Sequence, residues 1–99
     1  MERQQDTIGA DARVCRHPRV AYRDLEEGGV LLHLESGAYH GVNPTGCAIW
    51  ELLEGEPRLR DLLARLRARL EDPPPNLQEE VLLFLQGLRE RELVTVREA

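Results

Sequence analysis

One stretch, residues 28–55 (GGVLLHLESGAYHGVNPTGCAIWELLEG), limits the folds open to this chain more than any other. Two short apolar runs flank a Gly-containing turn, and the second runs straight into Asn43-Pro44. That is the pattern of a β-hairpin feeding a capped helix. Val30, Leu32 and Leu34 alternate with other residues, the period of a half-buried strand, and residues 38–42 form the return strand. Glu35-Ser36-Gly37 reads as a three-residue turn with Gly in the left-handed position. In that register Leu34 faces Ala38, Leu32 faces His40 and Val30 faces Val42, with His33 and Tyr39 on the opposite side. A two-residue turn would pair His33 with His40 and split the apolar residues between faces. The first register is preferred because burial of one face is what specifies pairing. Asn43 suits an N-cap and Pro44 the first helical position. Ile49, Trp50, Leu52 and Leu53 supply that helix's apolar face, and Gly55 ends it.

The flanks extend the scheme. Residues 1–16 lack periodicity and are expected to form a flexible N-terminal arm. Residues 19–25 read as a strand with Val20, Tyr22 and Asp24 on one face, and Glu26-Glu27-Gly28-Gly29 turns it into the hairpin. Downstream, Leu59, Leu62, Leu63, Leu66 and Leu70 mark a second amphipathic helix, with Arg65, Arg67 and Arg69 toward solvent. Asp72-Pro73-Pro74-Pro75 breaks it. Asn76, with Glu79 in the manner of a capping box, opens a third helix that runs to Glu90 or Arg91, and residues 93–96 form an extended tail. The expected class is α+β: a small winged helix-turn-helix-like domain over residues 17–96, a three-stranded antiparallel sheet followed by three helices. Leu77, Val81, Phe84, Leu85 and Leu88 fill one arc of the third helix, roughly 100° wide. Leu82 and Leu83 lie outside it on opposite flanks. Either the buried arc is wider, or a groove beside the helix accepts another apolar chain.

Chemistry is sparse. A chain of 99 residues supports one core, and its polar start and lack of a long apolar run imply a cytoplasmic protein with no membrane partner. Cys15 and Cys47 read as reduced thiols. His17, His33 and His40 do not complete a zinc set, so neither metal nor cofactor is expected. No carboxylate sits in a motif that tunes its pKa, Cys47 has no identifiable base, and no Gly-rich phosphate loop is present, so an enzyme is not expected. The net charge of −5 opposes nucleic-acid binding. The third helix is itself acidic, and the Arg65, Arg67, Arg69 patch ends in Glu71-Asp72. A winged-helix DNA-binding protein therefore stands only as an alternative.

The hairpin and first helix resemble the signature of the PqqD-like family: an apolar strand, an acidic-x-Gly turn, an aromatic strand, Leu-Asn-x-x-Gly and Ile-Trp-x-Leu-Leu-x-Gly. Val42 takes the Leu position, while Asn43, Gly46, Ile49, Trp50 and Gly55 match. Glu80, Val81, Phe84, Leu85 and Leu88 match the family's C-terminal helix, and Glu92 stands where a Gly is usual. The resemblance spans residues 17–96. It implies a RiPP recognition element, a non-catalytic protein that binds the leader segment of a ribosomal precursor peptide. The leader would add as an antiparallel strand to the third strand and pack against the third helix. On this chain the implied site is Ala38, Tyr39, His40, Gly41 and Val42 with Leu82, Leu83, Phe84 and Leu85. Glu-Ser-Gly at the turn and Ile-Trp-Glu-Leu-Leu-Glu-Gly at the helix end resemble stand-alone lasso-peptide proteins more than PQQ-pathway peptide chaperones. The implied partners are a leader peptidase and a cyclase, with the protein a monomer or weak dimer.

Overall fold

In the computed structural model, which describes residues 8–98, the elements run β1 (Arg13–Arg16), β2 (Val20–Leu25), β3 (Gly28–His33), β4 (Tyr39–Val42), α1 (Pro44–Leu52), α2 (Leu59–Arg69), α3 (Leu77–Glu90) and β5 (Val94–Arg97). β2, β3 and β4 form the expected antiparallel meander, in that order, so β4 lies at an edge. α1 packs on β3 and against α2, and a core built around Leu31, Trp50, Leu62, Leu66, Leu85 and Leu93 fills the space between sheet and helices.

Asn43 caps α1 as its position implies: Oδ1 accepts the Gly46 N–H at 2.7 Å and Pro44 opens the helix. Gly46 suits its place because a Cβ there would sit 3.0 Å from the Phe84 ring. Trp50 is 1% exposed, and Arg16 donates to its carbonyl from Nε at 3.1 Å, with the guanidinium 5.0 Å over the indole. A cation at the last turn of a helix is favoured by the helix dipole, so this contact ties β1 to α1.

The N-terminal arm is a correction. Residues 1–7 lie outside the described residues, but from Ile8 onward the segment is part of the fold. β1 pairs antiparallel with β5, Arg13 opposite Arg97 through Arg16 opposite Val94, and Ile8, Ala12, Val14 and Cys15 are buried. The extended tail of the sequence reading is thus a strand. α2 has no side-chain N-cap, and its first donors are taken by this segment: Leu59 N–H by Ala12 O and Arg60 N–H by Ala10 O, both at 2.9 Å. Helix donors left without such partners would be costly to bury, so the arm is held by backbone bonds that no local pattern announces.

The hairpin register is the second correction. Leu31 pairs with His40 and Leu32 with Tyr39, one residue away from the preferred scheme, because the connection spans residues 34–37. Gly37, at φ +80°, closes the turn by donating to His33 O at 2.8 Å. One residue of slip exchanges the faces: Leu31 and His33 point into the core, while Leu34 is left 49% exposed. Residues 30–32 are Val-Leu-Leu, so alternation could not choose between them. His33 is tolerated inside because its Nδ1 accepts the Glu35 N–H at 3.3 Å and its ring packs 4.6 Å from that of His17.

At α3 the expected capping box is absent, since Asn76 makes no side-chain cap bond. The other end is a Schellman closure. Leu93 N–H bonds Leu88 O at 2.8 Å and Glu92 N–H bonds Arg89 O at 3.0 Å. Glu92 sits at φ +62°, the left-handed conformation that explains why Gly is usual at this position.

Candidate functional site

β4 has β3 on one side only. His33 N–H donates to Ala38 O at 2.9 Å, so by antiparallel alternation residues 38, 40 and 42 turn their backbone groups toward β3. Tyr39 and Gly41 therefore present N–H and C=O to the open edge. The same alternation sends the His40 and Val42 side chains to the helix side, where both are half-buried, and Tyr39 to the outer face, 74% exposed.

Between this edge and α3 lies a groove of about 430 Å³. Its sheet wall is His40, Gly41 and Val42; its helix wall is Leu83, Phe84, Gly87, Leu88 and Arg91. Those five helix positions follow one another at intervals of one, three, one and three residues, a single stripe along α3. Of the residues expected from sequence, His40, Gly41, Val42, Leu83 and Phe84 meet here. The open question about the flanks is answered by position. Leu83, 70% exposed, faces the groove, whereas Leu82 is half-buried against the core. Leu85 is fully buried and belongs to the core, which corrects its placement in the site. Ala38 contributes its carbonyl to β3 and lies at the mouth of the edge. Gly87, Leu88 and Arg91 were not anticipated, although the four-residue step from Leu83 and Phe84 leads directly to them. Phe84 also borders a smaller pocket, about 130 Å³, with Asn43, Thr45 and Gly46.

A second groove, about 400 Å³, runs along β5 and is lined by His17, Arg89, Glu92, Val94, Thr95 and Val96. Near it, His17, His33 and Glu35 bring potential ligand atoms within 4.8 Å of one another. Both imidazoles accept a backbone N–H at Nδ1, His17 from Arg19 at 3.0 Å and His33 from Glu35. A metal taken at either Nδ1 would displace one of these bonds. These bonds give the pair a structural task at the hairpin turn.

On the opposite side of α1, Tyr22 Oη donates to Glu51 Oε2 at 3.2 Å and Arg69 pairs with Glu51. The Arg69 guanidinium holds the Glu51 carboxyl below the usual carboxylate range, against the opposing effect of its desolvation. Burial, with hydrogen bonding to Cys47 and Glu51, pushes the Tyr22 hydroxyl above the ordinary phenol range. The network joins β2, α1 and α2 and lies away from the β4 groove. The groove itself has the attributes of a peptide-docking site: an unpaired strand edge, an apolar wall, and one cation at its end.

The family of coenzyme PQQ synthesis protein D (PqqD) matches residues 28–94, and the chain belongs to that family. Among solved structures it resembles TbiB1 in complex with the TbiA(beta) leader peptide, at 29% identity and TM-score 0.70, covering 81% of this chain and 93% of that one. It also shares its fold with lasso peptide synthetase B1 complexed with the leader peptide, at 22% identity and TM-score 0.66, covering 87% of this chain and 99% of that one. No curated protein matches the chain.

Proposed function

We propose that this protein is a leader-recognition element of lasso-peptide biosynthesis. It binds the leader of a ribosomal precursor as an antiparallel strand on β4, with leader side chains packed against Leu83, Phe84 and Leu88 of α3. The observation that carries this reading is the coincidence of an open strand edge with an apolar groove, in a fold whose solved relatives were captured with leader peptides. Main-chain hydrogen bonds at Tyr39 and Gly41 supply affinity for any extended chain, and the α3 wall supplies selectivity. The protein performs no chemistry of its own. It hands the bound precursor to a leader peptidase and a cyclase in the cytoplasm, acting as a monomer or weak dimer. No helix among the described residues is long and apolar enough to cross a membrane.

The family's own description favours a second reading, a peptide chaperone of PQQ biosynthesis with the same binding mode. Titration of the protein with fluorescent leader peptides from lasso and PQQ precursors separates the two. Saturable binding of a lasso leader at micromolar or tighter affinity, abolished by Pro in the leader's strand, is the expected result. Binding of the PQQ precursor alone transfers the protein to that pathway. Binding to duplex DNA with no peptide binding overturns both.

A further inference from the structure

The groove has a direction and an electrostatic end. Phe84 packs against Gly46 at the start of α1, so the Leu83–Phe84 part of α3 lies beside Val42. At the other end, Leu93 O accepts from His17 N–H at 2.9 Å, His17 packs on His33, and His33 N–H reaches Ala38 O. α3 therefore runs antiparallel to β4. A strand added antiparallel to β4 runs with α3, its N-terminal side at Leu83 and Phe84 and its C-terminal side at Arg91.

Arg91 is the one formally charged residue among the groove's lining residues. Among the described residues it has no carboxylate partner, unlike Arg60, Arg69 and Arg97. Its Nη1 is held over Gly87 O at 3.2 Å, and the absence of a side chain at Gly87, where a Cβ would come within 3.1 Å of that nitrogen, lets the guanidinium lie back along the helix. Glu92, the next residue, borders the β5 groove and not this one. The result is a positioned, unneutralised guanidinium at the downstream end of an apolar trough, in a chain whose net charge of −5 would otherwise repel an acidic ligand.

We propose that the Arg91 end of the groove is a carboxylate subsite. The bound peptide carries an Asp or Glu that faces α3 and lies C-terminal to the apolar residue seated at Leu83 and Phe84. This deepens the strand-addition reading and rests on it. Side chains on one face of an extended chain recur at every second residue, about 7 Å apart, so the acid stands an even number of residues after the apolar anchor.

A displayed library of random ten-residue peptides, panned separately on the wild-type protein and on Arg91→Glu, tests both levels. The wild type is expected to select an apolar residue followed, at even spacing, by Asp or Glu. Arg91→Glu should keep the apolar preference and exchange the acid for Arg or Lys. In a selected synthetic peptide, Glu→Gln should weaken wild-type binding about tenfold and leave Arg91→Gln binding unchanged. If both proteins select the same apolar pattern with no charged position, or the acid falls before the anchor, the subsite is overturned while the groove stands. If neither selects apolar peptides, the groove reading falls with it.

Discussion

Among the described residues, two edge strands, β4 and β5, each border a groove of similar size, about 430 and 400 Å³. Their backbones follow the same alternation but differ in exposure. The bond from His17 N–H to Leu93 O fixes the β1–β5 alternation, so Val94 and Val96 turn N–H and C=O away from β1 as Tyr39 and Gly41 turn theirs away from β3, but Val94 is fully buried and only Val96 lies at an accessible edge. The walls differ. β4 faces Leu83 and Phe84, which an incoming apolar side chain can bury, with the already buried Leu88 beneath; β5 faces His17, Arg89, Glu92 and Thr95, whose polar groups such a side chain would desolvate. An unpaired edge attracts extended chains without discrimination. The side chains behind it decide which chain stays, and on that ground β4 is the edge we propose for recognition.

Breaking the shared scaffold should have the largest effect and spare neither edge. Trp50 is buried beneath Arg16, so Trp50→Ala should lower stability by about 3–5 kcal/mol, read by chemical denaturation. The comparison itself is sharpened by removing one outward N–H from each edge. Gly41→Pro should weaken leader binding about tenfold or more, since the lost donor faces the ligand and not β3. Val96→Pro should leave leader affinity within about twofold; a loss from Val96→Pro with none from Gly41→Pro would place the leader on β5 instead. Leu83→Asp should weaken binding about tenfold with the melting temperature unchanged. Leu82→Asp, by contrast, should cost about 1–3 kcal/mol of stability, because Leu82 packs on the core. The smallest effect concerns the β5 wall. Glu92→Gly relieves the left-handed strain at φ +62° and should raise stability by up to about 1 kcal/mol without altering leader affinity.

Much of the fold was legible. The hairpin, the Asn43 cap, the leucine stripe of α2 and the Pro73–Pro75 break all depend on neighbours within a few residues, and all were readable there. At the site, β4 and the Leu83–Phe84 part of α3 followed from the family resemblance together with surplus apolar residues. Leu85 and the choice of flank did not, because positions bordering a buried arc differ only by what packs against them. Arg91 carries no sequence signal of a site, because a charged residue after the last helical turn ordinarily points to solvent.

Local pattern alone therefore determined that this chain builds a short antiparallel hairpin, a capped helix and two amphipathic helices, since periodicity and capping act over a single turn or strand. Only the tertiary structure decided three things. Val-Leu-Leu left the face of β3 ambiguous until His33 found His17. The N-terminal segment had no periodicity to show, because its order comes from β5 and from the uncapped start of α2, both distant in sequence. The direction of the groove, ending at Arg91, exists only once α3 lies antiparallel to β4, a relation set by packing across the core and by no residue's immediate neighbours.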